Sequence, residues 1–282
     1  LSICCCFTNY LSLFPFDLNH FVKDFNEQSN FINETNNILR FYHYFKENEY
    51  IIIPEVYKCS TDIIIMSYEP GKYIEHITDI EDNYQKYCIT TLYYLFVNNN
   101  EQCYHFNHGD LHKGNWRYNI IDNKPRLIIY DFGFCFDIPE EKRYIISLIV
   151  DTFEQTDKIH DDEVIDTLTT ISEEILIGYD KNIENRSYLR NYINENVKKI
   201  KPWAFSPISI IKIFIDFSIS ENCKINHLLL QFFIIAIQCN QLYEEFSFKG
   251  SDDNIINGYQ VYRERYIDII NFCQTKQIFL EY

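Results

Sequence analysis

His108-Gly109-Asp110-Leu111-His112-Lys113-Gly114-Asn115, followed sixteen residues after the Asn by Asp131-Phe132-Gly133, decides how this 282-residue chain is read. Asp122 to Pro125 between them reads as a turn and Arg126 to Tyr130 as a strand, so the two blocks stand at the ends of a hairpin. Leu127-Ile128-Ile129-Tyr130 is an unbroken apolar run, the pattern of a buried strand, and it delivers Asp131 into a cleft. Either short block alone is a weak signal; both together, in this order and at hairpin separation, are specific.

An Asp with an Asn five residues later, then Asp-Phe-Gly, is the spacing of a kinase catalytic loop and its metal-binding turn. Phosphoryl transfer needs a carboxylate to accept or orient the proton of the attacking hydroxyl, and Asp110 fits that role. It also needs oxygen-bearing side chains to hold Mg²⁺ against nucleotide phosphates, and Asn115 and Asp131 fit that one. An Asn ligand coordinates through its carbonyl oxygen without adding negative charge beside a triphosphate. Gly133 is expected to supply backbone freedom at the turn after the metal ligand.

Upstream, residues 17 to 46 read as one long polar-faced helix, with Phe21, Phe25, Ile32, Leu39 and Phe45 at roughly helical intervals and Asp17 or Asn19 as its cap. Strand-like runs follow at Tyr50 to Ile53 and Asp62 to Tyr68, separated by Pro54 and a Ser60-Thr61 turn and closed by Pro70-Gly71. Thr78 is expected to cap a helix reaching Val97. Beyond Pro139 the pattern is helical in segments, at 139–157, 161–178, 187–200, 207–220, 226–246 and 259–277.

The combination resembles the UbiB/AarF/ADCK group of atypical protein-kinase-like proteins. In that group a helical Glu-Ala-x-Asn precedes Pro-x-Val-Tyr by twenty residues, and a strand then ends in Met-Glu-x-x-x-Gly. Here Glu34-Thr35-Asn36-Asn37 leads by twenty residues to Pro54-Glu55-Val56-Tyr57, and then to Met66-Ser67-Tyr68-Glu69-Pro70-Gly71. The match continues through His108–Asn115, Asp131–Gly133 and Glu140-Glu141-Lys142-Arg143, covering residues 17 to 180. The resemblance implies an α+β, protein-kinase-like fold. Residues 1–71 would form a partial N-lobe, with helix C and the strands after it, and residues 72–282 a mostly helical C-lobe. It implies ATP and Mg²⁺ as cofactors, Glu34 as the helix-C Glu that pairs the nucleotide-binding Lys, and Met66, Ser67 and Tyr68 as the hinge beside adenine. It further implies a role in isoprenoid lipid or quinone metabolism, with a lipid or small molecule as substrate and peripheral membrane association.

The chain departs from the group at several positions. The group's Glu-x-Asp is spelled Gln28-Ser29-Asn30, Lys113 replaces a usual Pro, and Ser67 replaces the hinge Glu. The group's Lys-x-Gly-Gln helix, Ala-rich loop and strand Lys belong before residue 17, where no Lys or Arg occurs. The first basic residue, Lys23, lies eleven positions before Glu34, about 16 Å along a shared helix and out of reach. With Leu1 first and Met66 the only Met, the expectation is a truncated piece of a longer reading frame.

Composition is consistent with AT-biased coding laid over an ordinary fold: 45 Ile, 27 Asn, 23 Tyr and 23 Phe against two Ala. The net charge of −16 repels phosphate backbones, which argues against nucleic acid as a partner. The longest apolar stretch, Leu228 to Ile237, is half of what a bilayer span requires. Ten cysteines without a CxxC pair read as reduced, mostly buried thiols of an intracellular, reducing compartment.

Three functions compete: a UbiB-type ATP-dependent kinase or ATPase, a small-molecule kinase of the aminoglycoside or choline type, and a catalytically silent pseudokinase scaffold. His-Gly-Asp-x-His-x-Gly-Asn is shared with the second, whereas the Glu34-to-Pro54 spacing and the Asp-Phe-Gly favour the first. Gln28, Asn30 and the missing Lys would suit the third. Residues 1–282 alone are expected to bind ATP weakly or not at all by isothermal titration calorimetry; micromolar affinity would overturn the missing-lobe reading.

Overall fold

Asn30 adopts an extended backbone (φ −101°, ψ 102°), and its side-chain oxygen accepts the Ile32 N–H at 3.0 Å, which caps helix α1, Phe31–Phe45. The single helix expected over 17–46 is therefore broken at Asn30. Residues 17–29 lie outside the described residues, and the 16 Å estimate for Lys23, which needs an unbroken helix, no longer follows. The computed structural model describes residues 30–76, 105–121, 124–154, 160–201 and 205–246, with positions 89–90, 92–93, 96–97 and 100. Thr78, the turn residues Asp122 and Asn123, and the segment expected to be helical over 259–277 also lie outside them.

Nine short strands accompany α1 among the described residues: β1 Ile51–Ile52, β2 Val56–Cys59, β3 Ile64–Met66, β4 Phe106–His108, β5 Trp116–Ile121, β6 Lys124–Ile129, β7 Cys135–Asp137, β8 Leu176–Ile177 and β9 Lys224–Ile225. β1 pairs parallel to β6, which pairs antiparallel to β5; β2 pairs with β3, β4 with β7, and β8 with β9. Ile121 faces Lys124 in the β5–β6 register, so Pro125 belongs to the strand and not to the turn.

The chain divides into two compact units, one containing the described residues 30–138 and the other those from Pro139 to Asn240. In the first, Ile38, Phe41 and Phe45 recur along α1 at intervals of three and four and form its buried stripe. The Phe41 ring meets Phe106 at 5.0 Å, Phe132 at 5.2 Å and Phe96 at 5.4 Å, in tilted arrangements that aromatic quadrupoles favour over face-to-face stacking. Leu127, Ile128 and Ile129 are buried, as the apolar run of β6 requires.

The second unit is helical, with α2 Glu140–Glu154, α3 Asp162–Ile175, α4 Ile183–Val197, α5 Pro207–Ser220 and the part of α6, His227–Phe246, that runs to Asn240. Isoleucines carry much of its core: Ile145, Ile146 and Ile149 on α2, Ile165, Ile171 and Ile175 on α3, and Ile193 on α4. α5 starts where the sequence places it because Ser206 and Ser209 form a reciprocal cap and Pro207 occupies the first helical position. Arg190 joins α4 to α3 through Asp162 at 2.8 Å and Asp166 at 2.5 Å. Among the described residues no helix is long and apolar enough to cross a membrane.

Phe41→Ala is expected to cost about 3–5 kcal/mol by chemical denaturation, because it opens a cavity under three other rings. Truncating the partly exposed Arg40 should cost about 1 kcal/mol or less despite its ion pair with Asp137.

Candidate active site

Two strand pairings assemble the site. In β5–β6, Trp116 faces Ile129, and the Tyr130 N–H donates to the Asn115 carbonyl at 2.7 Å, so Asn115 and Asp131 flank the same end of one hairpin. In β4–β7, His108 faces Cys135, and the Gly109 N–H donates to the Phe134 carbonyl at 2.8 Å, which brings the start of the catalytic loop beside the Asp-Phe-Gly turn. Gly109 is required there because a Cβ would lie 2.6 Å from the Phe134 ring.

Within the loop, the Asn115 side-chain amide donates to the Asp110 carbonyl at 2.8 Å, leaving its oxygen as the group suited to a cation. His112 Nδ1 accepts the Gly114 N–H at 2.9 Å, and its Nε2 stands 3.7 Å from the Asp110 carboxylate. Lys113, at the position of the family's Pro, pairs with Glu75 at 3.2 Å.

The left-handed residue of the Asp-Phe-Gly turn is Asp131 itself, with φ 54°, and not Gly133. An Asp tolerates this region better than a branched side chain, but the conformation still needs support from its surroundings. The Asp131 carboxylate accepts the Gly133 N–H at 3.3 Å. Phe132 is buried, with its ring 5.3 Å from that of His108. Glu34 on α1 accepts the Phe132 N–H at 3.2 Å, and the Asn37 amide donates to the Phe132 carbonyl at 2.8 Å. Asn37 is a member of the Glu-Ala-x-Asn-like segment, and its spacing of three from Glu34 was the available signal for a shared task.

Glu34, Asp110 and Asp131 line one open cavity of about 440 Å³ together with Phe31, Gly133 and Phe134. Met66, Ser67 and Tyr68 are not among its lining residues. Met66 ends β3 opposite Val56; the Ser67 N–H is committed to the Glu55 carbonyl at 2.8 Å, and Tyr68 is exposed. Among the described residues no group of three or more His, Cys, Asp or Glu side chains is placed to hold a metal ion.

Burial first, and then the neighbouring Asp131 charge, pushes the Glu34 carboxyl up from its ordinary range, opposed by the Phe132 N–H. Burial holds the His108 imidazole below its ordinary 6.5, opposed by the Tyr130 carbonyl and by Asp131 and Asp110. Burial also pushes the Cys135 thiol well up, so it is not a poised nucleophile. Cys59, Cys135 and Cys223 are free thiols.

A catalytic-loop Asp tied to its Asn, a facing Asp-Phe-Gly and a helix Glu gripping that turn define a protein-kinase-like site. The chain belongs to the ABC1 atypical kinase-like family, whose domain matches residues 8–161. No curated protein gives a significant match. Among solved structures it is similar to Rv3197 of Mycobacterium tuberculosis, determined in complex with erythromycin, at 14% identity and a TM-score of 0.46; the alignment covers 86% of this chain and 61% of that one.

The depressed His108 pKa fixes the sign of one pH effect. The unfolded chain takes up this proton first, so stability is intact above pH 6.5 and declines as pH falls through 6.5 toward the folded value. His108→Asn should flatten the stability curve between about pH 7 and 5, read as urea midpoints, against a sloping curve for the parent protein.

Proposed function

We propose that the protein carries out ATP- and Mg²⁺-dependent phosphoryl transfer or ATP hydrolysis, as a UbiB-type atypical kinase or ATPase. The observation that carries this reading is the convergence of Glu34, Asp110 and Asp131 on one cavity, with Asn115 tied by its amide to the Asp110 backbone. The donor set fits the metal: the Asp131 carboxylate and the Asn115 carbonyl oxygen are hard ligands. Octahedral Mg²⁺ takes one or two such groups and completes its shell from phosphates and water. When bound, the metal supplies neutralisation of the charge that builds on the phosphate oxygens.

Asp110 is the base that accepts or orients the proton of the attacking hydroxyl or water, and its half-exposed carboxylate suits a group that must meet an incoming acceptor. His112 lies beside it: its Nδ1 is occupied by the Gly114 N–H, and its Nε2 stands 3.7 Å from the Asp110 carboxylate. Glu34 awaits a cationic partner, since a buried carboxylate beside Asp131 is held up in pKa until a cation neutralises it. The family resemblance extends the reading to isoprenoid lipid or quinone metabolism, with the hinge Met66–Tyr68 beside adenine.

In full-length protein, Asp131→Asn should abolish magnesium-dependent ATP hydrolysis, and Asp110→Asn should lower it by about 10²–10⁴-fold. Hydrolysis by Asp131→Asn at the parent rate, in a phosphate-release assay across a magnesium titration, would sink the metal-ligand assignment. A parent protein that binds nucleotide but turns none over would favour the pseudokinase scaffold.

A further inference from the structure

We propose that Asn37 is a positioning residue that holds the Asp131 carboxylate in place by fixing the Phe132–Gly133 peptide, whose N–H donates to that carboxylate. The inference deepens the phosphoryl-transfer reading and rests on it.

Asp131 is held left-handed at φ 54°, and the support within its own turn is the long 3.3 Å contact from the Gly133 N–H. The next residue is gripped from α1 at both backbone groups: Glu34 takes the Phe132 N–H at 3.2 Å, and Asn37 gives its amide to the Phe132 carbonyl at 2.8 Å. Positions three apart lie on one helix face, so a single turn of α1 can straddle one residue of the opposing chain. Of the two bonds, that of Asn37 is the shorter. It is also neutral, so the charge of Asp131 does not weaken it, whereas the same charge works against Glu34.

The stripe continues to Arg40, whose guanidinium binds Asp137 through two bonds of 2.6 and 3.0 Å. That pair is partly exposed and screened, and it lies five residues beyond Phe132, so it anchors β7 without setting the Asp131 backbone. The Cys135 thiol approaches the Phe132 carbonyl at 3.4 Å, a weak donor that does not replace an amide. Without Asn37 the Phe132–Gly133 peptide loses its side-chain anchor, and with it the Gly133 N–H that steadies the Asp131 carboxylate, which can then turn from the cavity it lines.

The test uses full-length protein with Mn²⁺ as the probe, followed by electron paramagnetic resonance at saturating ADP, and ADP affinity measured separately in EDTA. Asn37→Ala should weaken Mn²⁺ binding about tenfold while metal-free ADP affinity stays within about twofold, as expected for one lost buried hydrogen bond acting on the ligand's position. Asn37→Gln, which keeps the donor on a longer stem, should regain part of the loss, and Arg40→Ala should leave Mn²⁺ affinity unchanged. If Asn37→Ala does not fold, Asn37→Ser, whose hydroxyl is too short to reach the carbonyl, carries the same comparison. Unchanged Mn²⁺ affinity in the Ala or Ser variant would overturn the proposal, as would an equal loss in Arg40→Ala, which would mean that any loosening of α1 has the same effect. Asp131→Asn separates the two levels of inference. If it leaves Mn²⁺ binding intact, the phosphoryl-transfer reading fails; if it weakens binding and Asn37→Ala does not, only the role of Asn37 fails.

Discussion

Asn115 and Asp131 stand sixteen positions apart in sequence, and the register of one hairpin brings them to the same end of a strand pair. Trp116 opposite Ile129 and the Tyr130 N–H on the Asn115 carbonyl leave no slack between Asn115 and Asp131. A slip of one residue would turn Leu127 and Ile129 to the opposite face and would carry Asp131 away with them. Burial of the β6 apolar run specifies that register strongly, so a hydrophobic constraint sets the geometry of a polar site. The second pairing, β4 with β7, then has only to align the catalytic loop with the turn that the first has fixed.

Around these pairings the protein builds a dry wall. Phe41, Phe106, Phe132 and His108 are all buried against one another, and His108 is kept neutral by that burial. A neutral imidazole can accept the Asp110 N–H at 3.3 Å while its other nitrogen faces the Tyr130 carbonyl, which ties the catalytic loop to the strand that delivers Asp131. Glu34 shows the opposite logic. Its folded pKa is raised, so at neutral pH its charge opposes folding, and its position is explained by what it contacts and not by what it stabilises.

Much of this was legible from sequence because it rests on strong local signals. The β6 run, the two motif blocks and the start of α5 at Ser206-Pro207 each carry their own punctuation, and the kinase-like fold followed from them. β1 and β3 fall inside the two strand-like runs at Tyr50–Ile53 and Asp62–Tyr68, whereas β4 and β7 did not show, since they are too short for an alternation and become strands only by pairing across the chain. β2 lies in the stretch between the two strand-like runs, after Pro54, where no strand was read. The cap at Asn30 was hidden by the helical periodicity of the sequence on both sides, which carries no mark of the bond from the Ile32 N–H. The left-handed residue was sought at Gly133 on propensity, whereas the surroundings impose it on Asp131. Asn37 was quoted only as part of a motif: its spacing of three from Glu34 puts the two on one helix face but does not name the backbone of residue 132 as their partner.

The Asn-rich composition then separates into tolerable and intolerable replacements. At Asn30 the family's carboxylate is replaced, yet the cap is kept, since capping asks only for a side-chain oxygen near the Ile32 N–H, and Asn serves there as well as Asp. At Lys113 the loss of Pro is met by an ion pair with Glu75, and at Ser67 a hydroxyl ties the Glu55 N–H and the Glu69 carboxylate. Each of these positions needs a hydrogen bond or a local restraint, which several residue types can provide. In the proposed chemistry Asp110 differs in kind, because a proton acceptor needs a basic carboxylate, which an amide lacks, whereas a cation can be held by a carboxylate or, as proposed at Asn115, by an amide oxygen.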